Sequence, residues 1–273
     1  MDLKEILFSL SLADAVGCVK DAANLAEKLL SDACKTQRAD GLTVVGMLKG
    51  ESDYTLMLDA HIDQVAMVVT DVDDEGFLTV ANSGGIDIRA LPSRRVTIHG
   101  RQKVNGVFCS TPPHLSNDKV EYDDISKLKI DTALGNAARN IISAGDYVTF
   151  TAQPKDLIGD RVCGRSFDDR AGVACLIYLA HKLKNEKLPF NIAFVLSDGE
   201  ELAMRGTRTA SFRVNPDEAV AIDVSFADGI GIDKESCGTL GNGPLIGISP
   251  VLDSAISDRF IELAAKEKIA FQT

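Results

Sequence analysis

The chain has 273 residues, of which 45% are hydrophobic and 25% charged, and it carries a net charge of −11. That length suits one large α/β domain, or a core domain carrying a smaller inserted one, and the composition excludes a disordered or fibrous chain. The negative charge argues against nucleic acid or an anionic membrane as partner, since either would be repelled at long range. Met1-Asp2-Leu3-Lys4-Glu5 lacks the basic start and apolar core of a signal peptide. No apolar run approaches the ~20 residues of a membrane helix. The six cysteines are scattered without a CxxC pair, as expected of free thiols in a reducing compartment. A cytoplasmic location is the expectation.

Apolar positions at helical spacing (Leu12, Val16, Val19, Ala22, Ala26, Leu29, Leu30) predict one opening helix over 12–35. Strands follow at 42–48, 54–58 and 64–72; Asp73-Asp74-Glu75-Gly76 then signals a tight turn, and 77–80 returns as the second arm of a hairpin. From about 81 to 154 short strands (95–99, 106–109, 147–152) alternate with Gly, Pro and Asn loops, the texture of a small all-β module. The α/β rhythm then resumes. A helix is expected over 168–185, with Asp168 and Asp169 in its first turn where the dipole favours negative charge. A buried strand at 190–196, a loop through Ser211 and Phe212, a strand at 219–223 and a helix at 253–268 complete the reading. The predicted fold class is α/β, a mixed sheet with flanking helices interrupted by an inserted all-β, barrel-like domain. The expected boundaries are 1–72 and 155–273 for the two parts of the catalytic domain and 73–154 for the insert. A helix followed only by residues 270–273 is a poor place to finish a sheet, whose edge would stay unpaired; a further C-terminal segment is expected.

Three predicted strands run into polar, chemistry-bearing ends: Asp59-Ala60-His61-Ile62-Asp63, Ser197-Asp198-Gly199-Glu200-Glu201, and Asp223. In open α/β sheets ligands bind beyond the carboxyl ends of the strands, so parallel strands would bring these residues to one edge, with Asp168 and Asp169 beside them. So many carboxylates resist joint ionisation without a counter-charge. A pair of divalent cations supplies it, and mixed histidine and carboxylate ligands suit zinc, cobalt or manganese.

The set of motifs resembles the metal-dependent aminopeptidases that include glutamyl aminopeptidase and the tetrahedral (TET) aminopeptidases, some formerly labelled endoglucanases. The matching stretches are Ala60-His61-Ile62-Asp63-Gln64-Val65, Ser166-Phe167-Asp168-Asp169-Arg170-Ala171-Gly172, Gly199-Glu200-Glu201-Leu202-Ala203-Met204-Arg205-Gly206 and Ala221-Ile222-Asp223-Val224. Pro112-Pro113-His114-Leu115 and Leu240-Gly241-Asn242-Gly243-Pro244 support them. The resemblance implies a zinc-peptidase-like fold and hydrolysis of N-terminal residues from peptide substrates by a water activated between two metals. It implies that His61 and Asp223 bind one metal, Glu201 the other, and that Asp168 bridges them. Glu200 would be the general base, and Asp63 would orient His61. It further implies a homo-oligomer joined through the inserted domain.

The chain departs from the family pattern at Gln64 and Ala66, which stand for the usual Glu and Gly, and at Leu202-Ala203-Met204, which stands for Val-Gly-Leu. A late histidine that family members supply to the metal held by Glu201 is expected beyond this sequence. An alternative expectation is therefore a non-catalytic, metal-deficient subunit. Glycoside hydrolysis is disfavoured because it needs two separated carboxyls flanking the bond, and a serine hydrolase because there is no G-x-S-x-G motif.

Overall fold

The computed structural model describes residues 2–110, 124–229, 231–233, 235 and 237–273; the Pro112 to Leu115 motif lies outside these residues. Two helices, α1 (Leu3–Leu12) and α2 (Asp21–Ser31), replace the single helix expected over 12–35. Gly17 explains the break. With α1 already closed at Ala13, the glycine's left-handed φ of 54° keeps 13–20 out of any helix, and a side chain there would meet the Tyr147 ring at 2.2 Å. Val16 and Val19 pair across the turn.

Strands β1 (Lys35–Arg38), β2 (Val44–Leu48) and β3 (Thr55–His61) come next. The expected hairpin follows as β4 (Ala66–Val72) and β5 (Leu78–Ser83), with the Phe77 N–H donating to Asp73 Oδ1 at 2.8 Å to close the turn. With β6 (Arg95–His99), β7 (Lys103–Phe108), β8 (Ile130–Asp131) and β9 (Tyr147–Phe150) they form a closed barrel in the order β4-β5-β8-β7-β6-β9. Inward-facing Met67, Val80, Ile98, Phe108 and Val148 fill it. The barrel takes its first stave from residues 66–72, on the other side of the 72/73 boundary expected from sequence. Apolar alternation alone does not distinguish a barrel stave from a strand of the main sheet.

After a short ribbon of β10 (Lys155–Asp156) and β11 (Val162–Cys163) come α3 (Phe167–Leu183), β12 (Asn191–Ser197), α4 (Arg205–Val214) and β13 (Glu218–Ala221). The main sheet is mixed, as expected, in the order β1-β2-β12-β3-β13. Both β12 and β13 run parallel to β3, whereas β2 is antiparallel to β12. Helices α1, α2 and α3 cover one face through Leu10, Leu30, Leu176 and Ile177; α4 covers the other through Ala210. Helix α4 stands where a loop was expected around Ser211 and Phe212. Its buried contacts are only Gly206 and Ala210, four residues apart, so its apolar signal is faint.

Residues Val224–Thr273 form a compact unit of their own. Its helix α5 (Ser254–Lys266) is capped by Asp253, whose carboxylate accepts the Ala255 and Ile256 N–H groups. Gly243 in this unit has φ 90°, and a Cβ there would lie 1.8 Å from the Ala270 carbonyl oxygen, so the glycine-rich Leu240 to Pro244 stretch answers a close backbone approach. Among the described residues no helix is long and apolar enough to cross a membrane.

Candidate metal centre

The parallel pairing on both sides of β3 brings the strand ends to one edge. His61 pairs with Ser197 at the end of β12, and the Ile62 N–H donates to the Ser197 carbonyl at 2.7 Å. On the other side Ala221 pairs with Asp59, and the Ile222 N–H continues the ladder onto the Asp59 carbonyl at 2.8 Å. Asp223 follows at once, and its charge helps to raise the pKa values of Asp59 and Asp169, in both of which burial is the larger cause.

Asp168 and Asp169 do not sit in a regular helical turn. Their backbone angles (φ −78°, ψ 111° and φ −109°, ψ 40°) bend the chain ahead of the helix, and the bend divides their roles. Asp169 turns inward, is fully buried and accepts the Gly172 N–H at 2.9 Å as a cap. Asp168 turns outward and places Oδ1 2.9 Å from His61 Nε2. A side chain at position 172 would come within 2.5 Å of Asp169 Oδ2, so the cap requires glycine there.

The turn after β12 carries the two glutamates, and Asp63 holds it. Its Oδ1 accepts the Glu200 N–H at 3.2 Å and its Oδ2 the Glu201 N–H at 3.3 Å, while Oδ1 lies 3.4 Å from His61 Nδ1. Ala203 and Met204 complete the turn at φ 108° and 54°, conformations that disfavour a side chain. Glu200 Oε2 reaches to 4.0 Å from His61 Nε2.

One ligand atom from each of His61, Asp168 and Glu201 lies within 4.8 Å of the others. Burial lowers the His61 pKa, but the hydrogen bond to Asp168 and the neighbouring Asp63 carboxylate outweigh that and hold it up at about 11. Burial, and then the Asp168 charge, raise Glu201 to about 7. Burial also raises Asp169 to about 7, with Asp223 adding to it. Without a cation the cluster thus retains protons. A nitrogen and several carboxylate oxygens competing for positive charge form a donor set that fits a divalent transition metal. A cleft of about 240 Å³ adjoins these groups, lined by Val65, Gly85, Phe150 and Ser166 together with Asp168 and Glu201. Phe150 belongs to β9, so the barrel contributes to the wall of the cleft.

Of the other histidines, His181 bonds the Leu29 carbonyl at 2.9 Å and His99 bonds Thr149 at 2.9 Å, so neither joins the cluster; His114 lies outside the described residues. Sequence reasoning passed over Asp198, whose pKa burial, then Asp63 and Asp40, raise to about 6, and also Arg170, fully buried behind the site. A charged residue two places after Asp168 is the one signal that could have drawn attention to Arg170.

The family model for M42 glutamyl aminopeptidase matches residues 43–273. The chain belongs to the M42 glutamyl aminopeptidase family. Lysyl aminopeptidase of Pyrococcus furiosus is 26% identical over 257 residues, covering 91% of this chain and 73% of its own. Among solved structures, aminopeptidase APDkam598 of Desulfurococcus kamchatkensis superposes with a TM-score of 0.89 at 27% identity, covering 99% of this chain and 78% of its own. The Pyrococcus horikoshii TET1 peptidase, which can assemble into a tetrahedron or a large octahedral shell, does so with 0.87 at 25%, covering 99% and 83%. M42 membership identifies the chain as an aminopeptidase by family, and as one of a metal-dependent kind.

Proposed function

We propose that this M42 chain removes amino-terminal residues from peptides with two divalent cations, zinc or cobalt first and manganese as a further candidate. His61 and Asp223 would hold one, Glu201 the other, and Asp168 would bridge them. When bound, such cations supply the Lewis acidity that makes water acidic near neutral pH and polarises a peptide carbonyl. Glu200, 37% exposed at its side chain and within reach of the same space, accepts the proton of the attacking water and passes it to the leaving amine. Asp63 holds the Glu200–Glu201 turn and faces the back of the His61 ring. The observation that carries this reading is the convergence of His61, Asp168 and Glu201 within 4.8 Å.

Two further parts of the proposal concern the setting. The inserted barrel would mediate contacts between copies of the chain and shape access to the cleft, a reading supported by Phe150 in the cleft wall and by the assemblies of the P. horikoshii relative. The six free cysteines suit a reducing cytoplasm.

The test is metal content per chain after gentle purification, paired with hydrolysis of amino-acid anilides with added cobalt or zinc. Two metals with turnover are expected. One metal or none, without turnover, would overturn the dinuclear reading and favour the non-catalytic, metal-deficient subunit.

A further inference from the structure

Arg170 is fully buried, and its guanidinium leaves α3 to bond a different part of the chain. Nε donates to the Ile62 carbonyl at 2.7 Å, and Nη2 donates to Gln64 Oε1 at 2.9 Å. Nη1 donates to the carbonyls of Leu10 and, at 2.8 Å, of Ala13. Ile62 lies between His61 and Asp63, and Gln64 follows Asp63. Asp168 stands two residues before Arg170 in the chain. One rigid fork therefore ties together the two segments that carry His61 and Asp168, 107 residues apart in sequence.

We propose that Arg170, with Gln64 as its side-chain acceptor, is a positioning residue that sets the register of His61 against Asp168 for metal binding. This rests on the metallopeptidase reading above. The plain alternative is that Arg170 merely glues α1 to the sheet. All four acceptors are neutral oxygens, so no carboxylate hydrogen-bonds the guanidinium to offset the desolvation of a buried cation, which is a costly way to make a purely structural tie. Two of its four bonds instead end on the His61–Gln64 segment, and a planar fork fixes direction where a lysine ammonium does not. Asp63 orients the imbedded imidazole from one side; Arg170 fixes the backbone that carries it.

The test is cobalt titration of the full-length protein, followed by the visible absorption of bound Co²⁺, with folding checked by circular dichroism and thermal melting. Gln64→Met keeps the volume and removes the acceptor; we expect cobalt affinity to fall ~10-fold and the absorption band to change. Gln64→Glu keeps an acceptor oxygen for Arg170, though it gives up the Nε2 donor that reaches Asp14 Oδ1 at 3.5 Å, and binds cobalt more tightly than Gln64→Met. Arg170→Lys loses most of the fork and weakens binding up to ~100-fold if it folds; if it does not fold, the Gln64 pair decides. Ile98→Ala, in the barrel core, lowers the melting temperature and leaves cobalt affinity unchanged. Folded Gln64→Met that binds cobalt as the unmodified protein does, with the same spectrum, overturns the proposal, as does an equal loss in Ile98→Ala. No cobalt uptake by the unmodified protein overturns the metal reading and this proposal together, whereas uptake with insensitive variants overturns only this proposal.

Discussion

Asp63 Oδ1 lies 3.4 Å from His61 Nδ1, and the same carboxylate receives the amide N–H groups of Glu200 and Glu201. One buried side chain thus faces the imidazole and holds the glutamate turn at once. Asp63→Asn preserves the shape but leaves one oxygen to serve two N–H groups, and the amide nitrogen faces a donor. A buried donor without an acceptor costs about 1–3 kcal/mol. We expect metal affinity and activity to fall 10–100-fold, measured by metal titration and anilide hydrolysis.

Glu200 and Glu201 are neighbours with different expected tasks, and single substitutions separate them. Glu200→Gln removes the proton acceptor, so kcat should fall ~10²–10⁴-fold while metal content per chain is unchanged. Glu201→Gln should lower metal content itself. Equal metal loss in both variants would contradict this division.

Ala203 holds φ 108° in the turn that carries both glutamates. Only glycine adopts this backbone without strain, and the resemblance places glycine there in other members of the family. Ala203→Gly should stabilise the chain by about 1 kcal/mol, raising the melting temperature by ~2–4 °C. A lower melting temperature would show that the turn carries no relievable strain.

Protons and cations compete at the site, and the direction follows from the shifts. Asp169 and Glu201, ordinarily at 3.8 and 4.5, titrate at about 7 in the folded chain, so it keeps protons the unfolded chain has already released. Their contribution to stability is full below about pH 4 and is lost as pH rises through about 7. His61, raised from 6.5 to about 11, has the same sign over a higher range. A bound cation replaces those protons and reverses the trend. The gain in melting temperature on replacing EDTA with zinc or cobalt should therefore be larger at about pH 8 than at about pH 5.5. A gain independent of pH would place the bound cation away from these groups.

Much of this was legible in one dimension. The strand ends Asp59 to Asp63 and Ser197 to Glu201, the Asp168-Asp169-Arg170 run and the Asp73 to Gly76 turn are local patterns, and the chemistry of a crowded acidic edge follows from charge alone. The continuous apolar run of β12 likewise announced a strand buried at every position. Helix α4 escaped notice because small residues make its buried face, and the break at Gly17 did so because its cause, the Tyr147 ring, lies 130 residues away in sequence.

What the sequence by itself determined is therefore the α/β rhythm and the polar residues it presents at the strand ends, because both depend on neighbours in the chain. Only the tertiary structure decided which aspartate faces His61 and which caps a helix, that Asp63 holds the glutamate turn, and that Arg170 reaches back to Ile62. Those relations depend on strand register and on a backbone bend at Asp168. Such features arise from contacts between segments a hundred or more residues apart, where no local periodicity carries a signal.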